Sequence, residues 1–150
     1  MGKKEKVLIF RSAKMRVVDI LMKQVGKDCD VTFLVQPVAE EEIRNKYPFA
    51  EVISIQDAYF EYTSFFKNVT LNKMFDTVYV LSSGESFWGY EEIFLIADQI
   101  KCRKLIFFNG KGESNAELQN FYSVVADNVF SFFERMITFW YKNWGKKYRF

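Results

Sequence analysis

Residues 6–25 read KVLIFRSAKMRVVDILMKQV, and this stretch decides the fold. Val7–Phe10 is a continuous apolar run, too short for a helix and rich in branched residues, as buried parallel strands are. After it, apolar residues recur at three- and four-residue spacing from Met15 to Val25, which is the pattern of an amphipathic helix. Gly26 follows, a residue typical of helix C-termini. The stretch therefore predicts one strand and one helix of an α/β domain.

The same alternation continues along the chain. Four more apolar runs predict strands, at Val31–Val35, around Val52–Ile55, at Thr77–Leu81 and at Lys104–Phe108. Helical patterns separate them, although residues 58–74 suit only an irregular helix. Helices between buried strands form right-handed crossovers, so the sheet should be parallel. We predict a single Rossmann-like α/β domain over residues 1–150, with a doubly wound five-stranded sheet in the order 3-2-1-4-5 inside three α/β/α layers.

The composition excludes several classes of function. A net charge of +2 is too small for a nucleic-acid-binding surface. The absence of histidine excludes histidine-based acid–base catalysis, histidine-activated nucleophiles and histidine metal ligands. Cys29 and Cys102 form no CxxC pair, so we predict no metal site and interpret both as structural thiols that precede strands. Reduced cysteines and a charged N-terminus without an apolar signal core predict a cytoplasmic protein.

The common nucleotide-binding motifs are absent. Gly110-Lys111-Gly112 lacks the spacing of a P-loop and the hydroxyl residue that follows its lysine. No GxGxxG follows the first strand, so a dinucleotide is disfavoured and no cofactor is predicted. A phosphorylated receiver domain would need acidic residues where Arg11 and Ser12 stand.

Three polar clusters follow predicted strands and are the candidate ligand-binding residues. They are Arg11, Ser12 and Lys14 after the first strand, Ser82, Ser83, Gly84 and Ser86 after the fourth, and Asn109, Gly110, Lys111 and Gly112 after the fifth. In a sheet of this order the first and fourth loops flank the topological switch point, where a phosphate or sugar could be held by hydroxyls, amides and a cation. The alternative is that these Gly and Ser residues only form turns.

Two carboxylate pairs are catalytic candidates, Asp57 with Glu61 and Glu91 with Glu92. No partner that would shift their pKa can be named from the sequence, so we interpret them as solvated helix starts and assign no catalytic residue.

The C-terminal segment is unusually aromatic. From about Ala116 to Trp144 it predicts a long helix whose apolar surface exceeds a single core-facing stripe, and we assign a candidate interface to Phe132, Phe133, Met136, Trp140 and Trp144. Charged residues interrupt it, so it is not a membrane-spanning helix. Association with a second copy or a protein partner, contact with the inner face of the membrane, and burial in the core all remain open.

Five blocks of the chain form a recognisable series: KVLIFRSAKM at 6–15, VTFLVQ at 31–36, Ile43 to Pro48, VISI at 52–55 and FDTVYV at 75–80. Their order resembles that of the N-terminal domain of the heptosyltransferase-like glycosyltransferases, over about residues 6–113. The resemblance implies half of a GT-B enzyme, in which two Rossmann-like domains react across a cleft.

The chain also departs from this family. Where the family's first loop continues with Gly-Asp, and the Asp is its catalytic base, this chain has Arg16 and Val17. Asp19 lies about 200° farther round the helix and is not an obvious replacement. The nucleotide-sugar domain is also absent from the sequence. We therefore expect a non-catalytic or accessory relative in cell-surface polysaccharide assembly, or a transferase half that acts with a separate donor-binding chain, or a membrane-surface binding module.

Overall fold

The predicted sheet is confirmed. The computed structural model describes residues 2–84, 89–114, 129 and 132–137, and within them five strands form one all-parallel sheet in the order β3-β2-β1-β4-β5. The chain forms two compact units, Met1–Leu118 and Gln119–Phe150, and the sheet belongs to the first. Its elements are β1 Lys6–Phe10, α1 Met15–Val25, β2 Asp30–Val35, α2 Pro37–Lys46, β3 Glu51–Ser54, α3 Tyr62–Asn68, β4 Phe75–Leu81, α4 Glu91–Asp98 and β5 Cys102–Phe108.

Strand β1 is buried on both faces and paired at both edges. Its side chains from Val7 to Phe10 are at most 1% exposed. Ile9 lies beside Phe33 of β2 on one side and beside Tyr79 of β4 on the other. A strand in this position needs apolar side chains throughout, which explains why its sequence shows no alternation.

Helices cover both faces of the sheet. On one face, Val7 and Ile9 share a core cluster with apolar residues of α1 and α2, namely Val17, Val18, Leu21 and Ile43. On the other face, the ring of Phe10 packs against Phe65 of α3 with centroids 6.5 Å apart. Phe94 of α4 meets Phe107 of β5 on edge, at 4.8 Å. The three-layer α/β/α architecture follows from this alternation.

Some element boundaries differ from the sequence expectation. Gly26 ends α1 as predicted, with φ at 80° in the region that favours glycine. Pro37 not only follows β2 but also begins α2. The N–H groups of a helix's first turn have no acceptor within the helix, so the missing N–H of proline costs no hydrogen bond there. In residues 58–74 only Tyr62–Asn68 is helical, so most of that segment is a connection between β3 and β4.

Part of the predicted C-terminal helix is described. Residues 132–137 are helical, and the side chains of Phe132, Phe133 and Met136 are each about half exposed. Trp140 and Trp144 lie outside the described residues. Within the part of the chain that the structure describes, no helix is both long and apolar enough to cross a membrane.

A polar contact joins α1 to the end of α2. Asp19 accepts hydrogen bonds from the Tyr47 hydroxyl at 2.5 Å and from the Lys46 ammonium at 2.7 Å. Burial alone would raise the pKa of Asp19, but the hydrogen bonds from Lys46 and Tyr47 outweigh it and lower that pKa below its usual 3.8. Burial and the bond to Asp19 raise the pKa of Tyr47, whose ring stacks on Phe33 at 5.5 Å. The pair therefore fixes an aromatic ring of the core.

We predict that the Asp19→Asn substitution makes the free energy of unfolding less dependent on pH in the acidic range. A carboxyl whose folded pKa is lowered stabilises the fold above its unfolded pKa, and this contribution disappears as the pH falls through the folded pKa. The variant should lose at most about 1 kcal/mol at neutral pH, because the pair is partly exposed to solvent. Its difference from the parent, measured by urea unfolding, should shrink as the pH falls below 3.8.

Asp30→Asn is the matched control, because its side chain is exposed at the start of β2. It should show no comparable convergence with the parent at low pH. A difference between Asp19→Asn and the parent that stays constant across the pH range would show that packing, not charge, explains the effect.

Candidate functional site

The three predicted polar clusters meet at the carboxyl edge of the sheet. The backbone N–H of Lys14 donates to Ser83 Oγ at 3.0 Å, which joins the loop after β1 to the loop after β4. The N–H of Gly110 donates to the carbonyl of Gly84 at 2.7 Å, which joins the loops after β4 and β5. The structure thus brings these loops into direct contact, as the strand order requires.

The described serine hydroxyls of this edge are engaged within the protein, and Ser86 lies outside the described residues. Ser12 Oγ donates to the carbonyl of Leu81, the last residue of β4, at 2.6 Å. Ser82 is buried, and its Oγ accepts from the N–H of Gly84 at 3.2 Å. Ser83 Oγ accepts from the backbone of Lys14. These hydroxyls hold the loops together, which is the turn-forming role weighed from the sequence.

Asn109 organises the loop after β5. Its side chain is 2% exposed, and its Oδ1 accepts from the N–H groups of Lys111 and Glu113, each at 3.0 Å. Its Nδ2 donates to the Glu113 carboxylate at 3.1 Å. This is a closed turn in which an amide side chain substitutes for backbone partners. The polar atoms of Asn109 are therefore committed to the turn.

Gly110 permits a close approach between two loops. A Cβ at this position would lie 2.2 Å from the carbonyl oxygen of Ser83, closer than any side-chain carbon can approach. The atom it would meet is backbone, which cannot rotate away as a flexible side chain could. Glycine is thus required here by space rather than by backbone conformation.

Two residues of the edge were missed from the sequence. The Tyr90 hydroxyl accepts from the N–H of Ser83 at 3.2 Å and donates to the carbonyl of Ser12 at 3.3 Å, so it ties two loops together. Arg16 Nη2 donates to the carbonyl of Gly110 at 3.1 Å. Arg16 was seen only as a departure from the family pattern, and no local signal separates Tyr90 from other surface tyrosines.

Arg11 differs from its neighbours because part of its side chain lacks a partner. It directly follows β1, and its backbone N–H donates to the carbonyl of Leu34 at 2.8 Å. Its Nε atom is buried and has no hydrogen-bond partner among the described residues. An unsatisfied buried donor costs free energy, about 1–3 kcal/mol and more for a charged group.

Positive charge is concentrated beside Arg11. Lys14 precedes α1, Arg16 lies in its first turn, and that turn contains no acidic residue and no side-chain cap. The start of a helix carries the positive end of its dipole, so cations there are unfavourable unless an anion neutralises them. The edge is therefore electrostatically suited to a negatively charged group.

The candidate carboxylates occupy structural positions. Asp57 accepts from the Ser64 hydroxyl at 2.5 Å, Glu92 from the N–H of Tyr62 at 2.6 Å, and Glu91 from the N–H of Gly89 at 3.3 Å. Within the described ranges, no cluster of three or more Cys, Asp or Glu residues could hold a metal ion.

Neither thiol is activated. Burial, together with the nearby Glu5 and Asp28, raises the pKa of Cys29, whose Sγ donates to the carbonyl of Val25 at 3.1 Å. Burial and Asp98 raise the pKa of Cys102. A thiol with a raised pKa is protonated at neutral pH and is a poor nucleophile.

Comparison with known proteins adds no relative: no family model, no curated protein and no solved structure matches this chain.

Gly110→Ala should destabilise the protein, because the new methyl group cannot be placed without moving the Ser83 backbone. We expect a loss of about 1–3 kcal/mol in the free energy of unfolding, the usual range for overpacking. Urea unfolding measures the loss, and hydrogen exchange of the Gly84 and Gly110 region should accelerate.

Gly2→Ala is the control, since an added Cβ at Gly2 would meet nothing within 4 Å. It should leave the unfolding midpoint unchanged. Equal stability of the two variants would contradict the close approach of the loops.

Proposed function

We propose that this chain is a non-catalytic accessory domain that binds an anionic ligand at the carboxyl edge of its sheet. The observation that carries the proposal is the buried, unpartnered Nε of Arg11 at the end of the central strand. Lys14 and Arg16 add two cations at the uncapped start of α1. A phosphate or carboxylate group in this place would offset the cost of all three charges.

The arrangement also limits how such a ligand is recognised. Ser12, Ser82 and Ser83 already have partners within the protein. Recognition would therefore depend on the cations rather than on the hydroxyls. Arg suits this role because its planar guanidinium donates in pairs to phosphate and carboxylate oxygens.

We place this binding function in cell-surface polysaccharide assembly, as a relative of the N-terminal half of GT-B glycosyltransferases. The support is the segment order in the sequence together with the Rossmann-like sheet. The non-catalytic role is supported by Arg16 and Val17 at the positions of the family's Gly-Asp. Asp19, the nearest carboxylate along the chain, is held by Lys46 and Tyr47 at the end of α2.

The test is thermal unfolding of the parent and of Arg11→Gln against inorganic phosphate, sugar phosphates, nucleotide sugars, nucleotides and flavin. A ligand at one hundred times its Kd stabilises a protein by about 2.7 kcal/mol, which is a readily measured rise in midpoint. We expect the parent to respond to at least one phosphorylated sugar. Arg11→Gln should lose that response while its ligand-free stability stays equal or rises, because a buried donor without a partner is removed.

Arg103→Gln is the control, since Arg103 lies in the amino half of β5 and pairs only loosely with Asp76 at 3.5 Å. It should respond like the parent. A strong loss of ligand-free stability in Arg11→Gln would show a structural role for the guanidinium and would overturn the proposal. A response confined to nucleotide sugars would favour the alternative of a transferase half with a separate donor-binding chain.

The second compact unit supports a role in association. Phe132, Phe133 and Met136 recur at helical spacing, and each is 50–52% exposed. Three large apolar side chains together on one short helical stretch are typical of interface cores. We propose that this surface joins the chain to a second copy of itself.

Replacing Phe132 and Met136 together by Ser should weaken self-association by at least about tenfold, the usual effect of truncating central interface residues. Light scattering coupled to size-exclusion chromatography measures this. Val38→Ser is the matched control, because Val38 is 87% exposed on α2. A parent protein that is monomeric at high concentration would contradict the proposal, and liposome binding lost in the double variant would favour membrane contact instead.

A further inference from the structure

A groove of about 470 Å³ lies at the opposite edge of the sheet from the polar loops. It is formed by the connection from α3 to β4 and by the turn between α4 and β5, with lining residues between 66 and 74 and between 99 and 101. These segments precede β4 and β5, whereas the candidate anion site follows the strand ends. The volume lies within the range of small-molecule sites, about 300–1,000 Å³. The groove is therefore a separate feature from the proposed anion site.

Half of the residues that line the groove are apolar. Phe66 and Met74 line it and remain 45% and 52% exposed. Val69 and Ile100, which are buried, also contribute to the lining. Single exposed apolar residues are ordinary on protein surfaces, but two that flank a concave site offer contact area to an apolar ligand.

The charged residues that line the groove are both lysines. Among the described residues that line it, Lys73 and Lys101 carry charge, and no carboxylate is present. Lys73 is already paired with Glu51 at 2.5 Å. Lys101 forms no ion pair with any described residue, while its backbone carbonyl accepts from the N–H of Phe75 at 3.2 Å. The ammonium of Lys101 is thus unpaired among the described residues, and the backbone of Lys101 is held by its hydrogen bond to the start of β4.

The neutral lining complements this cation. Asn72 and Gln99 contribute amide groups, which donate and accept hydrogen bonds without adding charge. A ligand that fits must combine an apolar body for Phe66 and Met74 with a negative group for Lys101. An uncharged apolar molecule would leave the lysine without a partner, and a bare anion would leave the apolar walls exposed to water.

We propose that this groove binds a small organic anion with an apolar body, of the class of aryl or alkyl carboxylates, and that Lys101 recognises its charged group. The proposal is independent of the anion site beside Arg11, because the two sites share no residue.

The experiment uses the full chain, ¹⁵N-labelled, and follows backbone amide shifts during titration with three probes. 4-Phenylbutyrate carries both an aromatic body and a carboxylate, 4-phenylbutanol carries the body alone, and inorganic phosphate carries only charge. We expect phenylbutyrate to shift the amides of residues 69–73 and 99–101. The alcohol should bind about two- to five-fold more weakly, which is the effect of one exposed ion pair. Phosphate should leave these amides unmoved, and any shift it causes near Arg11 reports the other site.

Two variants test the assignment of residues. Lys101→Gln should weaken phenylbutyrate binding about two- to five-fold and leave phenylbutanol binding unchanged. Lys104→Gln is its control, because Lys104 is exposed on β5 and does not line the groove. Met74→Asp should remove phenylbutyrate binding by placing a like charge beside the ligand, while Val38→Asp, at another exposed apolar position, should not.

Three results would overturn the proposal: equal binding of the alcohol and the carboxylate, shifts confined to residues outside the groove, or unchanged binding in Met74→Asp. Each variant's amide spectrum also reports whether it is folded. The side chains substituted in these variants are all exposed, so a folded spectrum is expected for each of them.

Discussion

The parallel pairing of β1 with β2 and β4 is the constraint on which the structure depends. With neighbours at both edges and helices on both faces, β1 can satisfy its backbone only through the two ladders. Both ladders are parallel, so each needs a crossover that passes over a sheet face. The crossover from β1 to β2 carries α1, and the chain returns to the other side of β1 only after β3. The change of direction places α1 and α2 on one face and α3 and α4 on the other.

The same constraint explains the location of the polar residues. All five strands point the same way, so the loops that follow β1, β4 and β5 emerge together. Three contacts hold these loops together. The Ser12 hydroxyl donates to the last carbonyl of β4, Gly110 lies against the backbone of Ser83, and the Tyr90 hydroxyl bonds to two loops. Arg11 directly follows the central strand, and among the described residues its Nε is the buried side-chain atom that these contacts leave without a hydrogen-bond partner.

Much of the fold could be predicted from the sequence because the signals are local. A buried parallel strand must be apolar throughout, so Val7–Phe10 and Val31–Val35 were recognisable as runs, and Gly26 marked the end of α1. The strand order followed from general rules of handedness rather than from any residue. Residues 58–74 could not be assigned, because Phe60, Phe65 and Val69 are buried by contacts across the fold rather than by helical periodicity.

The candidate site was predictable only at the level of loops. That polar residues after β1, β4 and β5 would meet follows from topology. Which atoms are already engaged does not, since the contact of Gly110 with Ser83 and that of Tyr90 with Ser12 join residues far apart in sequence. The groove beside Lys101 gave no sequence signal at all. Its lining comes from two connections, and such residues carry no periodic pattern that marks a cavity.

The contact between Gly110 and the Ser83 carbonyl also bears on how the carboxyl edge could have changed over time. Two loops that touch through bare backbone cannot vary independently: a longer side chain, an insertion or a deletion in one requires a compensating change in the other. The two loops are therefore constrained to change together. Homologous chains should accordingly keep Gly110 and the lengths of both loops.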